Sequence, residues 1–257
     1  ATESWGWPTS ETIRLICSRR DWTAGSRSRP KEAPGRPKLP CSPSGGRTPY
    51  AAALGALMLE FFINGQPVQA EDNQTVMQAA KANGYFIPYF CWHPHLSVPG
   101  NCRICMVEVT NEGQAEGSGW LDIACNMPIT KGMRVLTDSE RVRARRKETL
   151  QFITLNHPVD CGICDKAGEC TLQDYHYEYN GERSVSRDAK VHATKHYDLS
   201  PRIVLDNERC IQCTRCVRFT REISKSSGLG MQNRADHSLV RAVEDGSFES
   251  DPYSDNV

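Results

Sequence analysis

The chain has 257 residues, room for one large domain or two to three small ones. Its 31 Lys plus Arg balance 31 Asp plus Glu, so charge gives no argument for a nucleic-acid partner or an acidic substrate. The longest apolar run, around Ala51–Leu59, falls far short of the ~18 residues of a membrane helix, which predicts no direct membrane insertion.

Residues 1–57 are rich in Pro, Ser, Gly and Arg, as in Arg27-Ser-Arg-Pro-Lys31 and Pro34-Gly-Arg-Pro-Lys38. Without a sustained apolar period they cannot bury enough surface to fold alone, which predicts a disordered extension. Met58 opens the first well-patterned segment. The expectation is that Met58 is the natural start and 1–57 is translated upstream sequence. A transit peptide is the alternative, given the frequent Arg and Ser, although Pro is abundant and acidic residues intervene. Cys17 and Cys41 lie here without a partner at ligand spacing and read as free thiols.

Leu59–Ile63 reads as a strand, Asn64-Gly65 as a hairpin turn, and Pro67–Ala70 as the return strand. Thr75-x-x-Gln78 is a capping box opening a short helix that Gly84 ends. Met106–Val109 and Met133–Leu136 read as further strands. Strand, hairpin, helix, metal loop and strand make an α+β ferredoxin pattern over 58–138. Ser139 caps a predicted helix running to about Leu155, with apolar positions Val142, Leu150 and Ile153. Arg141, Arg143, Arg145, Arg146 and Lys147 make this helix basic: either a solvated face or a contact with a negative neighbour. Beyond Cys161 the patterns are short. Residues 180–200 read as loop, Ile203–Leu205 as a brief strand, and Thr214–Ser224 as a short helix.

Setting aside Cys17 and Cys41, the other ten of the 12 cysteines fall into three groups, each with a Cys-x2-Cys step. Bunched cysteines point to metal ligands in a reducing compartment rather than to a disulfide scaffold. Cys91, Cys102, Cys105 and Cys125 have the plant-type [2Fe–2S] arrangement with a longer first gap, and Gly100 lets the backbone approach closely. A four-cysteine zinc site is the alternative. His157, Cys161, Cys164 and Cys170 offer four corners for a [4Fe–4S] centre, with a Cys3His zinc site as rival. Cys210, Cys213 and Cys216 open the bacterial ferredoxin pattern. Residues 217–257 hold no cysteine, so the expectation is a fourth ligand outside this chain, with His237 as the alternative.

The runs Pro88–Cys105, Asn156–Asp174 and Arg209-Cys-Ile-Gln-Cys-Thr-Arg-Cys-Val-Arg-Phe219 resemble the iron–sulfur (75-kDa-type, G) subunit family of respiratory complex I. The resemblance extends from about Met58 to the end of the chain. It implies a [2Fe–2S] ferredoxin-like, β-grasp domain over 58–138, a His/Cys3 [4Fe–4S] domain over 139–180, and a [4Fe–4S] ferredoxin-type domain over 181–257. By position, Cys91, Cys102, Cys105 and Cys125 match the first centre. His157, Cys161, Cys164 and Cys170 match the second, and Cys210, Cys213 and Cys216 the third. Gly162 stands where the family usually has Pro, and the family's large molybdopterin-oxidoreductase-like domain is missing.

The implied function is electron relay from a flavin/NADH-binding subunit toward quinone, within a multi-subunit NADH dehydrogenase. The implied location is peripheral, on the cytoplasmic side of a bacterial inner membrane or the matrix side of a mitochondrial one. The same module resembles NAD-linked hydrogenase diaphorase and formate dehydrogenase subunits. No Gly-x-Gly-x-x-Gly run marks an NADH site of the chain's own, and no residue stands out as a nucleophile or general base. The clusters would carry the chemistry.

Overall fold

The computed structural model describes residues 57–115, 118–233 and 235–243. The expectations for residues 1–56, including the free thiols Cys17 and Cys41, lie outside the described residues.

A five-stranded mixed sheet opens the fold. Strands β1 (Met58–Ile63) and β2 (Gln66–Glu71) form an antiparallel hairpin around Asn64 and Gly65. Both turn residues have positive φ, as a tight hairpin turn requires. Strands β3 (Met106–Thr110), β4 (Trp120–Ile123) and β5 (Arg134–Leu136) complete the order β2-β1-β5-β3-β4. Strand β5 runs parallel to β1 and antiparallel to β3, the β-grasp arrangement expected from the ferredoxin pattern.

Helix α1 (Val76–Ala82) begins with the capping box in place: Thr75 accepts from Gln78 N, while Gln78 accepts from Thr75 N. It buries Val76, Met77, Ala79 and Ala80 in one core with Phe61, Ile63, Val107, Val109 and Val135. The alternation along β1 and β3 aims these side chains inward. Each fully buried large one contributes roughly 1.5–3 kcal/mol.

Helix α2 (Glu140–Thr154) leaves the sheet with Ser139 as its N-cap. Its basic residues do more than face solvent. Arg146 is 1 % exposed and donates to Met106 O and Thr137 O, and Arg141 pairs with the buried Glu108 at 2.7 Å. Lys147 pairs with Glu182.

After a 3-10 turn at Cys161–Ile163, helix α3 (Thr171–Tyr175) runs into a π-helical turn at His176–Asn180 that packs on α2. Two two-stranded ribbons follow. One joins β6 (Tyr197–Asp198) to β7 (Val204–Leu205), so the 180–200 loop ends in a short strand. Helix α4 (Arg215–Glu222) then leads to the other, β8 (Leu229–Gln232) with β9 (Leu239–Ala242). No helix among the described residues is long and apolar enough to cross a membrane.

Candidate metal centres

The first cysteine group lies on the loops at one end of the five-stranded sheet. Cys91, Cys105 and Cys125 are buried, and Cys102 is partly so. Cys105 directly precedes β3, and Cys125 follows β4, so the β3–β4 pairing sets their spacing. The loop that leads to Cys105 passes through the left-handed region at Gly100 and at Arg103, φ 62° and 57°. A Cβ at Gly100 would sit 3.1 Å from Ile123 Cδ1, so a side chain there meets both strain and crowding.

The electrostatics of this group suit a cationic centre. A hydrogen bond from the Cys91 thiol, together with N–H groups of Cys91, Ile104 and Phe90, holds Cys102 down to about 5 against the opposing effect of burial. Cys91 keeps its proton because it donates to Cys102 and because it is buried. Cys105 is likewise raised, first by its hydrogen bond with Cys125 and then by burial. The four cysteines thus sit in two interacting pairs, Cys91 with Cys102 and Cys105 with Cys125. Such a set becomes favourable as thiolates when a metal centre displaces the protons.

The second group is more open. Cys161, Cys164 and Cys170 are all partly buried, with Cys170 at the N-cap of α3. His157 lies just past α2, and burial lowers its pKa, which favours the neutral ring a metal ligand needs. Lys190 Nζ donates to Thr154 O and Leu155 O, capping α2, and Asn156 Oδ1 accepts from Val191 N. The 190–191 segment therefore pins the backbone that carries His157.

The third group occupies the loop entering α4. Gln212 and Thr214, the residues flanking Cys213, both have positive φ, 55° and 59°. That winding gathers Cys210, Cys213 and Cys216, whose charges act on one another, and Gln212 N points at Cys210 Sγ at 3.4 Å. Burial pushes Cys216 up to about 11. A cavity of about 620 Å3 opens beside Cys210, lined also by His157, Asn207 and His237. Asn207 is 7 % exposed, and neither polar atom of its side chain has a hydrogen-bond partner. An orphaned buried amide beside two candidate ligands fits a site meant to hold a polar group.

Among the described residues no three His, Cys, Asp or Glu side chains converge tightly enough for a single metal ion. What sequence spacing could not show is the meeting of the groups. Cys102, Cys170 and Cys213, one from each group, pack against a single apolar core of Phe90, Ile104, Leu150, Leu172 and Tyr175.

Comparison with known proteins agrees with this division. Residues 56–140 match the 2Fe-2S iron-sulfur cluster binding domain. Residues 146–184 match the NADH-ubiquinone oxidoreductase-G iron-sulfur binding region. Residues 200–257 match the ferredoxin-like domain of NADH-quinone oxidoreductase subunit 3. The chain therefore carries 2Fe–2S and 4Fe–4S cluster-binding domains, and the zinc alternatives fall away.

The chain is 39% identical over 177 residues to the mitochondrial NADH dehydrogenase [ubiquinone] iron-sulfur protein 1 of Solanum tuberosum, covering 69% of this chain and 23% of that protein. It is 35% identical over 194 residues to the G-type subunit of NADH-quinone oxidoreductase from Rickettsia typhi, covering 76% of this chain and 28% of that one. It thus spans about a quarter of the length of these curated relatives. A solved NAD+-reducing [NiFe]-hydrogenase chain is similar in fold, with TM-score 0.65, 29% identity, and 74% and 77% of the two chains covered. By its three ordered iron–sulfur domains and these relatives, the chain belongs to the iron–sulfur, G-type subunit family of NADH-quinone oxidoreductase.

Proposed function

We propose that this chain is an electron relay. Cys91, Cys102, Cys105 and Cys125 hold a [2Fe–2S] centre. His157, Cys161, Cys164 and Cys170 hold a [4Fe–4S] centre, and Cys210, Cys213 and Cys216 hold three corners of a second. The centres, when bound, supply one-electron chemistry; the protein sets their spacing, solvent access and charge. Domain limits of 58–138, 139–180 and 181–257 match this division of labour. Electrons enter from a flavin/NADH-binding partner and leave toward quinone, with the chain lying peripherally on the cytoplasmic or matrix face.

The observation that carries the reading is the shared apolar core under Cys102, Cys170 and Cys213. It brings one cysteine of each group onto the same apolar cluster. The hydrogenase likeness favours a second reading, the equivalent module of an NAD-linked hydrogenase.

The test is the metal content of the purified full chain. One [2Fe–2S] and one complete [4Fe–4S] centre are expected, brown in colour and bleaching on reduction, with the third site losing iron readily. Stoichiometric zinc without acid-labile sulfide would overturn the proposal. Co-purification with a flavoprotein or with a nickel–iron subunit separates the two complexes.

A further inference from the structure

The run Cys213-Thr-Arg-Cys-Val-Arg-Phe219 carries the third cysteine group into α4, and the structure gives its second arginine a place. Arg218, on α4, is 3 % exposed. Its Nη1 donates to Ser97 O at 2.6 Å, and its Nε to Thr214 Oγ1 at 3.3 Å. Its Nη2 donates to Cys91 O and, at 3.3 Å, to Cys213 O. One nitrogen thus bridges the backbone of a cysteine from the first group and a cysteine from the third.

Around it runs a seam of polar contacts between the two loops. Asn101 Nδ2 donates to Gln212 O, Arg215 Nη2 to Trp92 O, and Ser97 N to Glu222 Oε2. Arg218 is the member of this seam that holds a candidate ligand on each side.

The charge of Arg218 needs an explanation. Burial lowers its pKa, yet a guanidinium stays protonated in proteins. All four of its hydrogen bonds go to neutral oxygens. The nearby Glu222 carboxylate is already engaged by Ser97 and Arg221. A buried cation is costly unless negative charge lies close. Thiolate-ligated iron–sulfur centres carry net negative charge, and the two cysteine groups that flank Arg218 are where such centres would sit.

We infer that Arg218 is a positioning residue shared by the first and third centres, fixing Cys91 against Cys213 and raising the reduction potential of both by its charge. The inference rests on the ligand assignment proposed above. Adding an electron to a centre beside a fixed cation is favoured, so removing the cation lowers the potential. The fork matters separately: a lysine keeps the charge but cannot donate to three carbonyls in fixed directions.

The experiment is an EPR-monitored redox titration of the cluster-loaded full chain, as wild type, Arg218→Gln, Arg218→Lys and, as a surface control on the same helix, Arg221→Gln. Arg218→Gln should make reduction of the first centre about tenfold less favourable, or about 59 mV for one electron. The second centre should not move. Arg218→Lys should keep the first midpoint but release that centre's iron to a chelator several-fold faster, and Arg221→Gln should change neither.

Loaded Arg218→Gln with an unchanged first midpoint would overturn the inference. So would an equal shift in the second centre. If Arg218→Gln retains no clusters, the lysine variant decides, and wild-type iron release from it also overturns the inference. A wild type without a [2Fe–2S] signal would instead remove the ligand assignment, which is a different failure.

Discussion

His157 shows how one side chain can be placed by its surroundings. It lies just past α2, its backbone is pinned through Lys190 and Asn156, and burial favours its neutral ring. A neutral imidazole in place of a fourth thiolate makes a cluster less negative and easier to reduce. His157→Cys should therefore keep the second centre and lower its midpoint. The shift should be on the order of 100 mV, since exchanging two thiolates for two imidazoles separates centres near −400 mV from those at roughly −150 to +300 mV. His157→Ala should leave one iron without a protein ligand and shed it. An EPR redox titration of both variants checks this, and an unchanged spectrum and midpoint in His157→Ala would show that another group is the fourth ligand.

At the scale of elements, local rules and tertiary context divided the work. Helix α1 was legible from Thr75 and Gln78 alone, because a capping box is satisfied within four residues. Thr75→Ala should cost about 1 kcal/mol. Native-state hydrogen exchange at the Ala79 and Ala80 amides should then speed about fivefold, a change confined to α1. The β1–β2 hairpin was equally local.

Strand β4 was not legible. Trp120–Ile123 is four residues long and has one partner, β3, so its strand character comes from that pairing. The β8–β9 ribbon escaped for the same reason, and it places Leu229 and Ala242 against Leu199 to close a small core. The basic run on α2 was visible as charge. That Arg146 would be the buried member, reaching Met106 O and Thr137 O, depends on how α2 lies on the sheet. The cysteine groups were legible one by one, because Cys-x2-Cys spacing is local. Their meeting around Phe90, Leu150 and Tyr175 needed the folded chain.

At the largest scale, the described residues are unevenly packed. The β-grasp portion closes a core of 19 buried residues, while the core under the three cysteine groups has five and the one beneath the second ribbon has three. The 3-10 turn at Cys161–Ile163 buries none. Apolar burial therefore accounts for the sheet domain, and little of it is available to order residues 156–216.

In that region metal binding would supply the missing free energy, as it does in small metal-dependent lobes. The charge network there does not substitute for it. Arg209 joins Asp160 across the second and third groups, and Lys195 joins Asp160 and Glu208, but ion pairs that solvent reaches add little to stability. Removing iron with a chelator should thus act in two tiers. Amides of β1, β3 and α1 should keep most of their hydrogen-exchange protection. Those of the 161–170 turns, α3 and α4 should lose nearly all of theirs, and reconstitution with iron and sulfide should restore them. Uniform loss across both regions would mean that the sheet also depends on its cluster, through Cys105 and Cys125 at the ends of β3 and β4. Uniform retention would mean that the Arg209 and Arg218 contacts hold the cysteine loops without metal.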